Sequence, residues 1–128
     1  MLNKLLWIGL GGFVGASLRY LTGSMVHRIF GQASFPFGTF VVNFCGSLII
    51  GFVITLAGSG GVLSSTAQAF LITGMLGAFT TFSTFSYETL QLFQNGETSP
   101  AVMNMMAHLV FGLSAVWLGG LLARGWSG

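Results

Sequence analysis

Residues 80–86 read TTFSTFS, and they hold the densest chemistry in the chain: four hydroxyls and two phenylalanines before a closing serine (Thr80, Thr81, Phe82, Ser83, Thr84, Phe85, Ser86). They interrupt a stretch that is otherwise apolar. Hydroxyls at such positions bond back to helix carbonyls and loosen the ladder, so a break is expected here. A helix broken at membrane depth frees carbonyls on one side and N–H groups on the other, the first suited to a cation and the second to an anion. Phe82 and Phe85 are three apart and share one face of any helix that continues. A phenyl ring has a negative face and a positive edge, so ring edges turned into a path favour an anion weakly. The same two rings serve equally well as core packing, and spacing alone does not choose between the roles.

Other polar residues also stand inside apolar runs. Thr39, Asn43 and Ser47 fall at i, i+4 and i+8, with Gly51 and Thr55 continuing the row on one helix face. Such a stripe is either interhelical glue or the lining of a path; Asn43 stands out because its amide offers two N–H donors. A shorter row, Asn104, His108 and Gly112, follows near the C-terminus, with His108 read as neutral and satisfied. Met103, Met105 and Met106 beside it read as packing. Arg19 sits about fifteen residues into the first apolar run. It either snorkels to the membrane surface or provides a fixed positive charge that draws an anion or anchors a buried network.

The elements that must position these groups are membrane spans. Of 128 residues, 53% are hydrophobic and 5% charged, against about 25% charged in a soluble domain. Mean hydropathy is +0.86. The expected fold is an all-α membrane protein, a single four-span domain over residues 1–128. The spans are expected at about 5–27, 37–57, 65–94 and 100–123, each near the length a bilayer requires. Runs of this length do not alternate in polarity as barrel strands do. Gly11 and Gly15 form a small-xxx-small pair for close helix approach, Pro100 suits a first helical turn, and a GSGG linker at 58–61 joins the second and third spans. Lys4 before an apolar run faintly resembles a signal peptide, but Arg19 and Arg28 fall where cleavage would occur, so a retained span is expected.

The charges are few and evenly placed. With four spans both termini share one side with the GSGG linker, and that side carries Lys4 and Arg124. The other holds Arg28 and Glu97, with Arg19 one to two turns inside. The positive-inside rule has almost nothing to act on, so insertion in both orientations and an antiparallel pairing of two copies are expected. Four glycine-packed helices leave little room for a path through their middle, which puts any route between subunits. Cys45 is alone, so no disulfide forms within the chain. One Cys with His27 and His108 far apart makes no zinc site. Without any Asp, and with two Glu and two separated His, no acid–base pair or nucleophile triad is evident, and an enzyme is not expected. A net charge of +2 does not point to nucleic acid.

Three strings resemble one family. Gly77-Ala-Phe-Thr-Thr-Phe-Ser-Thr-Phe-Ser-Tyr-Glu88 is similar to the third-span signature of the Fluc (CrcB-type) fluoride channels. Gly12-Phe-Val-Gly-Ala-Ser-Leu-Arg19-Tyr and Gly38-Thr-Phe-Val-Val-Asn43 match its first and second spans. The resemblance implies a dual-topology antiparallel homodimer in the bacterial inner membrane, with two fluoride pores, a central structural Na⁺ and passive fluoride export. It also implies residue roles. Phe82 and Phe85 become the paired pore phenylalanines and Asn43 a pore-lining amide. Ser83, Thr84 and Thr39 come near the anion path, Arg19 is the basic residue of the first span, and the backbone carbonyls of Gly77 and Thr80 hold Na⁺. In the fourth span Gly112 and Val116 stand where some relatives carry hydroxyls, and Ala78 replaces a common glycine. A small multidrug-resistance-type exporter is the alternative, but it needs a carboxylate deep in the first span, and this chain has none there. A non-transporting membrane assembly subunit would not require the polar stripes.

Overall fold

The computed structural model describes residues 1–60 and 62–127. Gly61, the last residue of the GSGG linker, and Gly128 lie outside the described residues. Among the described residues every regular element is helical: α1 (Leu2–Phe30), α2 (Phe37–Gly58), α3 (Ser65–Gln68), a π-helix (Ala69–Leu76), α4 (Gly77–Phe79), α5 (Phe82–Gln94) and α6 (Thr98–Ser127). Four continuous stretches are long and apolar enough to cross a bilayer, Leu2–Phe30, Phe37–Gly58, Ser65–Gln94 and Thr98–Trp126. The third is assembled from four elements. Its helical ladder breaks between Phe79 and Phe82, within the hydroxyl-rich string, where Thr80 (ψ 157°) and Thr81 (φ −152°, ψ 112°) are extended.

Two seams hold the bundle. α1 packs on the π-helix, and α2 packs on α6. In both, glycine lets backbone meet backbone. A Cβ at Gly11 would collide with the Phe70 carbonyl, and one at Gly15 with the Met75 carbonyl; on the other side, one at Gly74 would strike the Ile8 carbonyl. Across the second seam, a Cβ at Gly51 would meet the Val116 carbonyl and one at Gly119 the Leu48 carbonyl. Lipid tails are as apolar as the helices, so no hydrophobic drive pulls spans together, and close backbone packing takes its place. The π-helix turns the third span slowly enough to keep its backbone on α1 for two turns before the break. Such segments are rare and recur at functional sites.

The connections are short. Gly31 ends α1 at φ 62°, its N–H donating to the His27 carbonyl at 2.9 Å. Gly96 (φ 78°) turns α5 into α6, where the Glu97 N–H reaches the Leu92 carbonyl at 2.8 Å. Pro100 falls in the first turn of α6, where its missing N–H costs nothing. Most large apolar side chains point outward, as expected of helices solvated by lipid. The few fully buried ones, Val42 and Leu76 among them, mark where the seams converge on the broken span.

Candidate functional site

One face of α2 positions the break. The side-chain amide of Asn43 pairs with the backbone of Thr81 twice: Nδ2 donates to the Thr81 carbonyl at 3.0 Å, and Oδ1 accepts the Thr81 N–H at 2.8 Å. One turn on, Gly46 lies against Thr80 and Phe79, and a Cβ there would collide with the Thr80 methyl. The amide thus replaces the helical partners that the extended residues have lost. Without it, two buried backbone groups would stand unpaired at membrane depth.

The hydroxyls of the string then restart the helix. Thr81 is the N-cap of α5: its Oγ1 accepts the Thr84 N–H at 3.2 Å and donates to Thr84 Oγ1 at 2.9 Å, and Ser83 Oγ lies 3.3 Å away. Thr80 Oγ1 instead bonds back to the Leu76 carbonyl at 3.0 Å, the local competition with the ladder that such residues provide. The thirteen-residue α5 therefore begins inside the span, with its positive N-terminal end turned to the break.

Two cavities flank this junction, and Thr81 lines both. The first, about 520 Å³, is walled by Arg19, Thr39, Thr84, Glu88 and His27. Arg19 Nη1 donates to the Thr80 carbonyl at 3.3 Å, so the guanidinium sits at the break. Thr39 Oγ1 donates to Glu88 Oε1 at 2.8 Å. The other oxygen, Oε2, is buried with no hydrogen-bond partner among the described residues.

The second cavity, about 440 Å³, is walled by Asn43, Ser47, Phe82, Phe85, His108 and Gly112, among others. The Phe82 and Phe85 rings lie 5.5 Å apart between centroids, and Phe85 leans on the His108 ring at 4.4 Å. Phe40 meets His108 edge-on at 5.6 Å. Behind them Asn104, with no exposed surface, donates from Nδ2 to Thr89 Oγ1 at 2.9 Å, and Thr89 Oγ1 donates to the Phe85 carbonyl at 2.7 Å. His108 Nδ1 lies 3.0 Å from the Asn104 carbonyl, an acceptor, so Nδ1 carries the proton and a neutral ring presents only a lone pair at Nε2. The Asn104–Thr89 pair thus anchors both aromatic neighbours of the cavity from behind.

The residues singled out from the sequence are gathered around the break, but they divide between two chambers. Asn43, Phe82 and Phe85 line the second; Arg19, Thr39 and Thr84 line the first. Ser83 is exposed and lines neither, reaching only Thr81. Gly77 and Thr80 bracket the last turn before the break. Thr81, Gly46, Thr89 and the Thr39–Glu88 bond carry roles that the sequence alone does not assign. Thr81 stood in the string, yet nothing local marks it as the residue that Asn43 grips. Asn104 and Thr89 lie fifteen apart, a pairing that depends on how α6 folds back along α5.

Fold and site together define a multi-pass helical membrane protein whose interrupted span is braced by half-buried polar side chains. The chain matches the family described as CrcB-like protein, Camphor Resistance (CrcB), over residues 6–120. It is 47% identical over 124 residues to the fluoride-specific ion channel FluC of Campylobacter jejuni, covering 97% of this chain and all of that one. It is 44% identical over 117 residues to the protein of that name from Clostridium perfringens, covering 91% of each. Against that of Shewanella halifaxensis it is 46% identical over 118 residues, covering 92% and 94%. This protein belongs to the CrcB family.

Proposed function

We propose that the protein is a fluoride-selective channel that lets the anion leave the cell passively. The observation that carries this reading is the Phe82–Phe85 pair at the N-terminal end of a helix that starts inside the membrane, in a cavity shared with the Asn43 amide. The names of the relatives agree with it. Moving a bare small anion into a low-dielectric medium costs tens of kcal/mol by Born estimates, whereas one charge-assisted hydrogen bond nets about 1.5–3 kcal/mol. Ring edges alone do not meet that cost. Arg19 raises the local anion concentration in the first chamber, and the positive end of α5 holds a favourable potential at the break. Asn43, with one amide hydrogen committed to Thr81 and one left, supplies a donor between the two chambers. The phenyl rings narrow the path, and narrowness with few donors favours the smallest halide.

An antiparallel homodimer with two pores, in the inner membrane of a bacterium, completes the proposal. The near-balance of charge at the two membrane faces supports it. So does Phe82, which is 79% exposed in a single subunit and would close a pore only against a second copy. A structural Na⁺ at the dimer centre fits the donors at the break. The Gly77 carbonyl loses its ordinary helical donor because the Thr81 N–H goes to Asn43. The Thr80 carbonyl gives one lone pair to Arg19 and keeps the other. Hard cations take such oxygens several at a time, so two carbonyls from one chain call for the same two from a second copy. When bound, the ion would add a fixed positive charge beside both pores.

The test is fluoride efflux from liposomes containing only this protein, read with a fluoride electrode. Efflux well above protein-free liposomes is expected, and its absence from a verified dimer would overturn the reading. Replacing Na⁺ by a bulky organic cation throughout purification is expected to lower efflux, and unchanged efflux would remove the ion from the proposal.

A further inference from the structure

Resting on the fluoride reading, we infer that Ser47 is an anion-contacting residue, the hydroxyl donor at the end of the phenylalanine cavity where α2 faces Gly112. The inference follows from an account of donors. Nearly every polar hydrogen on that cavity's side chains is already committed. Thr80 Oγ1 donates to Leu76, Thr81 Oγ1 to Thr84, His108 Nδ1 to the Asn104 carbonyl, and one Asn43 amide hydrogen to Thr81. Ser47 lines the same cavity and makes no hydrogen bond to any described residue. Elsewhere on α2, Thr55 and Ser59 donate to the carbonyl four residues back. Ser47, with the Asn43 carbonyl at that spacing, does not.

The helix seam explains why this hydroxyl faces open space. At Gly51 and Gly119 the α2 and α6 backbones touch. One turn nearer the break they part: the nearest atom to a Cβ built at Gly112 is Ser47 Oγ, at 4.0 Å. Ser47 is thus the last polar group before the seam closes. A small anion that has passed the rings meets there a hydroxyl proton that no described acceptor claims, in a cavity whose histidine has committed its Nδ1–H to the Asn104 carbonyl.

Fluoride efflux from liposomes of the dimer tests this with Ser47→Ala, alone and combined with Gly112→Ser. Loss of a hydrogen bond to an anion is expected to slow efflux about tenfold in Ser47→Ala. Gly112→Ser rebuilds a hydroxyl across the same gap, so the double variant is expected to recover most of the flux. Efflux in Ser47→Ala equal to that of the unsubstituted protein overturns the inference. So does a loss that the second substitution fails to restore, which would make Ser47 a packing residue. No flux from the unsubstituted protein would instead overturn the fluoride reading itself.

Discussion

Asn43 and Thr81, on different spans, are joined by a reciprocal pair of hydrogen bonds of 3.0 and 2.8 Å, amide to peptide. The geometry copies what one peptide group would offer another. It lets the third span abandon its helix for two residues at membrane depth without stranding backbone polar groups. The amide is therefore first a splint for the break, and its spare N–H is the donor that the proposed channel function would use.

Replacing that splint should cost stability as well as flux. Asn43→Ala leaves the Thr81 N–H and carbonyl without their partner, at about 1–3 kcal/mol for each unsatisfied group. The expected result is a clearly lowered thermal midpoint in detergent, with fluoride efflux reduced more than tenfold. Asn43→Asp keeps the acceptor for the Thr81 N–H but loses the donor, and is expected to fall between alanine and the native residue in stability.

Phe82 and Phe85 touch each other yet differ in surroundings. Phe85 is half-buried against His108, while Phe82 is exposed. Phe82→Ile or Phe85→Ile removes the ring edge with modest change in bulk, so loss of flux with an intact dimer is expected for both. Phe85→Ile is expected to lower the thermal midpoint as well, by the loss of its aromatic contact, worth about 0.5–1.5 kcal/mol. Wild-type flux in both variants would reduce the rings to packing.

The seam between α1 and the π-helix predicts a sharp contrast among glycines. Gly15→Ala drives a methyl into the Met75 backbone, which no rotamer change relieves, and overpacking of this kind costs about 1–3 kcal/mol or more. Gly125→Ala, with nothing within 4 Å of the added carbon, is expected to leave stability unchanged. Comparing the two in a thermal or SDS titration separates close packing from a general effect of removing glycine.

Charge balance makes orientation adjustable. On the proposed dual topology, adding lysines beside Lys4, for example Asn3→Lys with Leu2→Lys, is expected to bias insertion, which reporter fusions at the C-terminus would show as a single orientation where the unsubstituted protein gives two. If two opposed copies make the channel, the biased protein alone should lose efflux. Co-expression with a copy biased the other way, by Gln32→Lys and Ala33→Lys, should restore it. Full efflux from a single-orientation preparation would end the antiparallel proposal.

The four spans and the place of the break were legible because each depends on local composition. Apolar runs near bilayer length leave no alternative to helix, and a cluster of hydroxyls inside one of them competes with its own ladder. The row Thr39, Asn43, Ser47 was legible as one face for the same reason, since helical spacing is local. What each member of that row does was not. Thr39 reaches Glu88, forty-nine positions away; Asn43 grips a peptide thirty-eight away; Ser47 has no hydrogen bond among the described residues. The difference arises from where the third span lies across α2, and so does the division of one row between two chambers.

The near absence of charge, the four lipid-solvated helices and the weakened stretch at 80–86 were thus decided by the sequence alone, through the cost of polar groups in hydrocarbon. Tertiary structure decided which unsatisfied backbone groups meet which side chains. The π-helix against Gly11 and Gly15 orients the broken span, and the backbone contacts of Gly51 with Val116 and of Gly119 with Leu48 close the seam on one side of the cavity. Those outcomes depend on contacts between residues tens of positions apart, whose geometry is set by close backbone packing and is not written in any one segment.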